Sequence, residues 1–123
     1  MTTIRILVDG QSFSASLDDS ATSAAILESL PIQGQVSVWG DEIYFRIPVA
    51  LDEASDARAD VAIGDLAYWP PGNAFCIFFG PTPASHGSEP RAASPVNLFG
   101  RIDASPEQLR RIADGSPIRI ELA

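Results

Sequence analysis

The sequence predicts an all-β protein: a closed eight-stranded antiparallel barrel with two helices, in a single domain spanning residues 1–123. Three observations lead to this prediction. Most apolar residues alternate with polar ones, as strands with one buried face require. Residues typical of tight turns separate these segments, and only two stretches show helical spacing with caps. Eight strands can close into a barrel whose interior the side chains just fill.

The chain begins with a hairpin that is followed by a helix. Apolar and polar residues alternate over residues 4–17 on either side of an Asp-Gly pair, a strong signal for a two-residue hairpin turn. Residues 21–30 carry apolar positions at helical spacing, and Ser20 or Thr22 can cap the first turn. Pro31 ends this helix because proline cannot continue it.

A second hairpin carries the most informative pattern. Gly40 and Asp41 form its two-residue loop, so that Trp39 lies opposite Glu42 and side chains alternate between two faces. The face predicted to join the core carries Val36, Val38, Ile43, Phe45 and Ile47. The outer face carries Gln35, Ser37, Trp39, Glu42, Tyr44 and Arg46. Aromatic rings beside an acid and a base are typical of a binding surface. The alternative is a solvated face with cross-strand pairs, or a face covered by a loop.

The central hairpin comes from the apolar segments 61–69 and 74–79, with Pro-Pro-Gly-Asn between them as the turn. An acidic, alanine-rich stretch over 51–60 precedes it and is interpreted as a solvated loop, because its carboxylates lack calcium-loop spacing. A loop over 80–95, rich in Pro, Ser, Gly and Ala, follows it. Loops of this length are usually functional or disordered, and this one contains His86, the only histidine.

A strand, a helix and a last strand complete the prediction. Residues 96–102 and 118–122 alternate as strands. Between them, Ser105 and Gln108 have the spacing of a capping box, and Gly115 is the stop signal after the helix. Both helices are expected to cover the open ends of the barrel.

Composition excludes several functional classes. The net charge is −8, with eight arginines and no lysine, so neither nucleic acid nor an anionic membrane is expected as a partner. The single cysteine, Cys76, lies in an apolar run and is interpreted as a buried structural thiol. With no visible signal peptide or membrane span, the expected location is the cytoplasm. No metal-ligand cluster or phosphate loop stands out, so no metal or cofactor is expected.

Several segments resemble cyclophilins. Residues 95–102 (PVNLFGRI) are similar to the cyclophilin strand that contains Phe-Gly, 75–79 (FCIFF) to its Gln-Phe-Phe-Ile strand, and 44–48 (YFRIP) to its Phe-His-Arg segment. The segments 39–45 (WGDEIYF) and 64–83 resemble more closely a family of small prokaryotic cyclophilin-like proteins. The resemblance covers nearly the whole chain and implies the barrel fold, in a family without a settled biochemical function.

The resemblance also bears on catalysis. Cyclophilins isomerise X–Pro bonds on the outer face of the barrel, in an apolar pocket beside an arginine that Arg46 would supply here. The position of the pocket histidine is Val96, the glutamine falls near Phe75, and the preceding loop has no tryptophan. Prolyl isomerase activity is therefore expected to be absent or vestigial.

Three functional hypotheses follow. The leading one is that the outer face binds a peptide or a small-molecule ligand without catalysis. The residues predicted to bind it are Trp39, Glu42, Tyr44, Arg46 and His86. The first alternative is a weak peptidyl-prolyl isomerase with Arg46 as its catalytic residue. The second is an assembly module, in which Tyr68 and Trp69 at the Pro-Pro-Gly turn dock on a partner or form a homodimer.

Overall fold

The computed structural model describes every residue from Met1 to Ala123 and consists mainly of antiparallel strands. The strands are β1 (Thr2–Val8), β2 (Gln11–Leu17), β3 (Ile32–Gln35), β4 (Ser37–Val38), β5 (Glu42–Arg46), β6 (Arg58–Asp60), β7 (Asp65–Trp69), β8 (Ala74–Phe78), β9 (Arg91–Asp103) and β10 (Pro117–Leu122). The helices are α1 (Ala21–Glu28) and α2 (Pro106–Arg110), and a 3-10 turn spans Pro70–Gly72. The predicted all-β class with two helices is confirmed. Neither helix is long and apolar enough to cross a membrane.

The strands form one hydrogen-bonded path in the order β3-β10-β1-β2-β9-β7-β8-β5-β4, with β6 attached to β9. Its two end strands are consecutive in the chain and are separated only by Val36. Val36 still bonds the β10 side, donating to the Ser116 carbonyl at 2.9 Å and accepting from Gly115 at 2.7 Å. The predicted closure therefore needs correction: no hydrogen-bonded ladder joins β3 to β4, and the backbone itself connects the two ends of the sheet.

The inner face of the sheet surrounds one main core. Every strand except β4 and β6 contributes to it, with Ile4, Phe13, Phe45, Phe75 and Phe99 among its large members. Phe75 stacks on Phe45 and meets Phe99 edge to face, with ring centroids 5.1 Å apart in both pairs. Ile26 from α1 and Leu109 from α2 join the same core, so both helices pack against the residues that the inner face of the sheet surrounds.

The predicted turns and caps are mostly confirmed. Asp9 and Gly10 have φ angles of 52° and 73°, the two positive values that a type I′ hairpin turn requires. Ser20 caps α1, its Oγ accepting from the Ser23 amide at 3.1 Å. Ser105 and Gln108 form the predicted capping box of α2. Each helix is shorter than its sequence pattern, because the hydrogen bonds after Glu28 and Arg110 tighten to a three-residue spacing.

The ten strands differ from the eight predicted for two reasons. The predicted strand before Gly40 is divided at Val36 into β3 and β4, because its first half pairs with β10 and its second half with β5. The acidic stretch contains a strand, β6, which pairs with the first half of β9. β9 begins at Arg91, so the loop predicted over 80–95 ends five residues early.

The outer face of the sheet carries a second, smaller core. Its buried members are Ala67, Ala74, Cys76, Phe78, Ala92 and Val96. The second half of β9 pairs with β2 and β7, whereas its first half pairs only with β6 and packs on this outer face. Strands β7 and β8 are therefore buried on both faces, which explains their nearly continuous apolar sequences.

Candidate binding site

An apolar cleft of about 180 Å³ opens on the outer face, beside the smaller core. Its lining residues are Trp39, Glu42, Tyr44, Trp69, Ala92, Ala93 and Val96. We call this site the aromatic cleft. It contains both tryptophans of the chain and a single carboxyl group.

The β4–β5 hairpin supplies one wall of the aromatic cleft. Trp39 and Glu42 face each other across the turn, the Trp39 amide donating to the Glu42 carbonyl at 2.9 Å and the Glu42 amide to the Trp39 carbonyl at 3.2 Å. Tyr44 follows Glu42 by two residues and therefore lies on the same face of the strand. This part of the predicted register is confirmed, including the pairs Val38 with Ile43 and Ser37 with Tyr44.

The opposite wall is fixed by Trp69 at the end of β7. Its indole Nε1 donates to Ser94 Oγ at 2.7 Å, which ties the ring to the first half of β9. Gly72 lies directly against the ring: a Cβ at this position would come within 2.8 Å of the indole carbons. The Pro-Pro-Gly turn thus places a glycine where no side chain fits, and the Trp69 ring is held between this turn and Ser94.

Glu42 is the chemically distinctive residue of the aromatic cleft. Its side chain is only 6% exposed and has no ion-pair partner. Burial disfavours the charged form and raises the pKa of this carboxyl from its ordinary 4.5 to about 7, although the neighbouring Cys76 thiol opposes the shift by hydrogen bonding. Near neutral pH, Glu42 therefore exists as a mixture of acid and carboxylate.

Cys76 lies beneath Glu42 in the smaller core and is almost fully buried. Its Sγ donates a long hydrogen bond of 3.8 Å to the Ala74 carbonyl oxygen. Burial, and secondly the negative charge of Glu42, raise the pKa of the thiol. This confirms Cys76 as a buried thiol, and it stays protonated at neutral pH.

The structure brings three of the five predicted binding residues together. Trp39, Glu42 and Tyr44 line the aromatic cleft, whereas Arg46 and His86 do not. Arg46 is exposed and lies opposite Ala74, further along β5. His86 is exposed on the loop after β8, where its amide donates to the Glu89 carboxylate at 2.8 Å.

One expectation about the second hairpin was wrong, and a second needs completing. Val38, predicted to be core, is 40% exposed, because it lies on the two-residue end strand β4, which pairs only with β5. Glu42 lies on the outer face as predicted, but it is buried there because the first half of β9 covers that face. A turn-based register gives the face of each residue, but not what packs on that face.

Sequence analysis missed four lining residues: Trp69, Ala92, Ala93 and Val96. Alternation along β7 could have placed Trp69 on the outer face, because its neighbour Tyr68 faces the main core. Val96 was singled out only as the position of the cyclophilin pocket histidine, and it does line the aromatic cleft. Ala92 and Ala93 carry no signal of their own, because small residues are compatible with strand, loop or core.

The exposed aromatic turn needed for the assembly hypothesis is absent. Tyr68 is fully buried in the main core, and its hydroxyl donates to the Val49 carbonyl at 2.6 Å. Trp69 is half-buried and belongs to the aromatic cleft. No group of three or more His, Cys, Asp or Glu side chains is arranged to hold a metal ion.

The antiparallel sheet with two helices, and a cleft on its outer face, define a cyclophilin-like domain. The chain belongs to the cyclophilin-like family, whose model, described as "Cyclophilin-like", matches residues 2–121. Among solved structures, it is similar to the hypothetical protein AF2241 from Archaeoglobus fulgidus, determined in solution, with 38% identity and a TM-score of 0.83. The match covers 99% of this chain and 95% of the archaeal chain. A search of curated proteins gave no match.

Proposed function

We propose that this protein is a non-catalytic binding domain that takes a small molecule in the aromatic cleft. The observation that carries the proposal is the convergence of Trp39, Tyr44 and Trp69 around an open apolar space with one buried carboxyl group at its side. Pockets of this kind, apolar with a few placed polar groups, are the usual form of small-molecule sites.

The size of the aromatic cleft supports a small molecule rather than an extended peptide. Its volume of about 180 Å³ lies below the usual range for drug-sized ligands. It is comparable with cavities of about 150 Å³ that hold one benzene molecule. We therefore expect a ligand, or one ring or branched group of a ligand, of about that size.

The chemistry of the lining supports binding without covalent catalysis. Cys76 is the nearest nucleophilic group, but it is buried and its raised pKa keeps it in the poorly reactive thiol form. Besides Glu42, the only ionisable side chain in the lining is the Tyr44 phenol, and the lining contains no second carboxylate, histidine, lysine or arginine. What remains is an apolar surface for contact and one carboxyl group for selectivity.

The test is a thermal-shift screen of wild-type protein against small apolar and aromatic compounds, with tryptophan fluorescence as a second readout. A ligand at 100 times its dissociation constant stabilises the folded state by about 2.7 kcal/mol, which is readily measured. We expect Trp39→Ala to remove the shift and Arg46→Ala to keep it, because Arg46 shares the strand face but lies outside the cleft. Equal shifts in a folded Trp39→Ala variant would disprove the proposed site.

A further inference from the structure

We infer that the aromatic cleft selects a small organic cation: a protonated amine carrying an apolar substituent, with its ammonium group against Glu42 and the aromatic rings. This inference rests on the proposed function and names the class of ligand. Three aromatic side chains and one carboxyl group share a single small lining.

The first argument is the aromatic lining itself. The faces of Trp and Tyr rings attract cations, and a site that desolvates the cation strengthens this attraction. Trp39, Tyr44 and Trp69 account for three of the seven lining residues, and the only polar side chains among the lining residues are theirs and that of Glu42. An alkyl or aryl substituent would fill the remaining apolar wall formed by Ala92, Ala93 and Val96.

The second argument is the unpaired state of Glu42. No arginine pairs with Glu42: Arg110 pairs with Asp41 at 3.1 Å and Arg91 with Asp60 at 2.5 Å. Arg46, further along the same strand, makes no ion pair and lies outside the cleft lining. Buried charges in proteins are normally paired, and a cation in the cleft would supply the missing partner. An ammonium N–H would also donate to the carboxylate, which is a stronger contact than a neutral hydrogen bond.

Binding should therefore be coupled to release of a proton. The titratable groups around Glu42 are Tyr44 on its own strand and Cys76 on β8, while the β7 and β9 walls contribute only Trp69, Ala92, Ala93 and Val96. The pKa of Glu42 lies at about 7, so a cation that binds the carboxylate displaces a proton from most molecules at pH 6. A neutral ligand of the same shape has no such effect.

The experiment compares benzylamine, which is cationic below its pKa, with benzyl alcohol, its neutral counterpart of similar shape. The two tryptophans of the chain both line the aromatic cleft, so their fluorescence reports binding directly. We expect benzylammonium to bind at least about tenfold more tightly than the alcohol at pH 8. Its affinity should fall by up to about 30-fold at pH 5.5, where only a few per cent of Glu42 is ionised. Calorimetry in two buffers at pH 6 should detect release of about 0.9 proton per ligand.

Glu42→Gln provides the decisive variant because it keeps the shape of the side chain. It should lose the preference for the cation, the pH dependence and the proton release, while binding benzyl alcohol as the wild type does. If this variant fails to fold, Trp39→Leu keeps apolar bulk without the indole and should likewise reduce the preference for the cation. Equal affinity for both ligands at both pH values, unchanged in Glu42→Gln, would overturn the inference while leaving a neutral-ligand cleft.

A second outcome separates failure of this inference from failure of the proposed function. Absence of any fluorescence change with either probe overturns the assignment of a benzyl-sized cation. The proposed function is then decided independently by the compound screen, in which Trp39→Ala must lose the thermal shift and Arg46→Ala must keep it.

Discussion

Glu42 shows how the environment of one residue can differ from what its position in a strand predicts. Alternation places it correctly on the outer face of β5, next to Tyr44. The carboxyl group is nevertheless buried, because residues about fifty positions later in the chain, in the first half of β9, fold over that face. Such long-range coverage leaves no trace in local sequence, so a covered face was only one alternative and the electrostatic effect of the burial could not be predicted.

At the residue scale, we predict that Glu42 makes the protein less stable as the pH rises from about 4.5 to about 7. The folded state keeps the proton until about pH 7, whereas the unfolded chain loses it near the ordinary pKa of 4.5. The folded state therefore binds more protons across this window, and its free energy of unfolding falls with increasing pH. The shift corresponds to about 3 kcal/mol.

Urea unfolding at about pH 5 and pH 8 measures this effect. Glu42→Gln should lose most of the pH dependence, because glutamine does not titrate. Glu53→Gln, which changes an exposed acid of the acidic stretch, is the matched control and should behave as the wild type. The same pH dependence in wild type and Glu42→Gln would show that the carboxyl group is solvated in the folded protein.

At the scale of elements, β9 connects parts of the chain that are far apart in sequence. Its second half pairs with β2 and β7, and its first half pairs with β6. Asn97 lies where the two halves meet and is almost fully buried. Its Oδ1 accepts from the Ala54 amide at 2.8 Å, and its Nδ2 donates to the Asp52 carbonyl at 3.1 Å. One side chain therefore anchors the acidic stretch to the sheet.

We predict that Asn97→Ala destabilises the protein by about 2–4 kcal/mol, because it leaves two backbone groups without partners and opens a small cavity. The acidic stretch around Ala54 should become more sensitive to proteases, whereas the β1–β2 hairpin should not. Urea unfolding and limited proteolysis check both effects. Ser88→Ala, on the exposed loop after β8, is the control and should change neither. An unaltered acidic stretch in Asn97→Ala would mean that other contacts hold it.

Sequence patterns predicted elements best where a turn and alternation act together. The β1–β2 hairpin follows from its Asp-Gly turn, and the pairing of Trp39 with Glu42 follows from Gly40 and Asp41. β6 was missed because Arg58–Asp60 has no apolar alternation and its partner, β9, begins thirty residues later. The site was half predicted, since one hairpin supplies Trp39, Glu42 and Tyr44, whereas the opposite wall depends on how β7 and β9 pack.

At the scale of the whole molecule, the cyclophilin-like fold raises the question of prolyl isomerase activity. We predict that this activity is absent, or at least about 100-fold below that of a typical cyclophilin. The aromatic cleft has no arginine, histidine or glutamine in its lining, and one of its walls is Val96, the residue that the resemblance to cyclophilins aligns with the pocket histidine. Loss of one well-placed donor costs about 10²–10³ in rate, and Arg46 is exposed outside the cleft.

A protease-coupled assay on an Ala-Pro peptide checks this prediction, with wild type and Arg46→Ala measured side by side. Both should match the uncatalysed rate within error. A wild-type rate near that of ordinary cyclophilins, abolished by Arg46→Ala, would contradict the prediction. A rate that persists in Arg46→Ala but disappears in Trp39→Ala would place catalysis in the aromatic cleft instead.

The position of Val36, between two strands that pair with different partners, affects how the chain could be cut and rejoined. On either side of this residue the same stretch of chain belongs to two different ladders, one with β10 and one with β5. Because no ladder joins β3 to β4, the chain through Val36 is the covalent link that keeps these two edge strands together. In a circular permutant, new chain ends after Val36 would remove this link and let the two edge strands separate. New ends in the loop at Gly87 would keep the link.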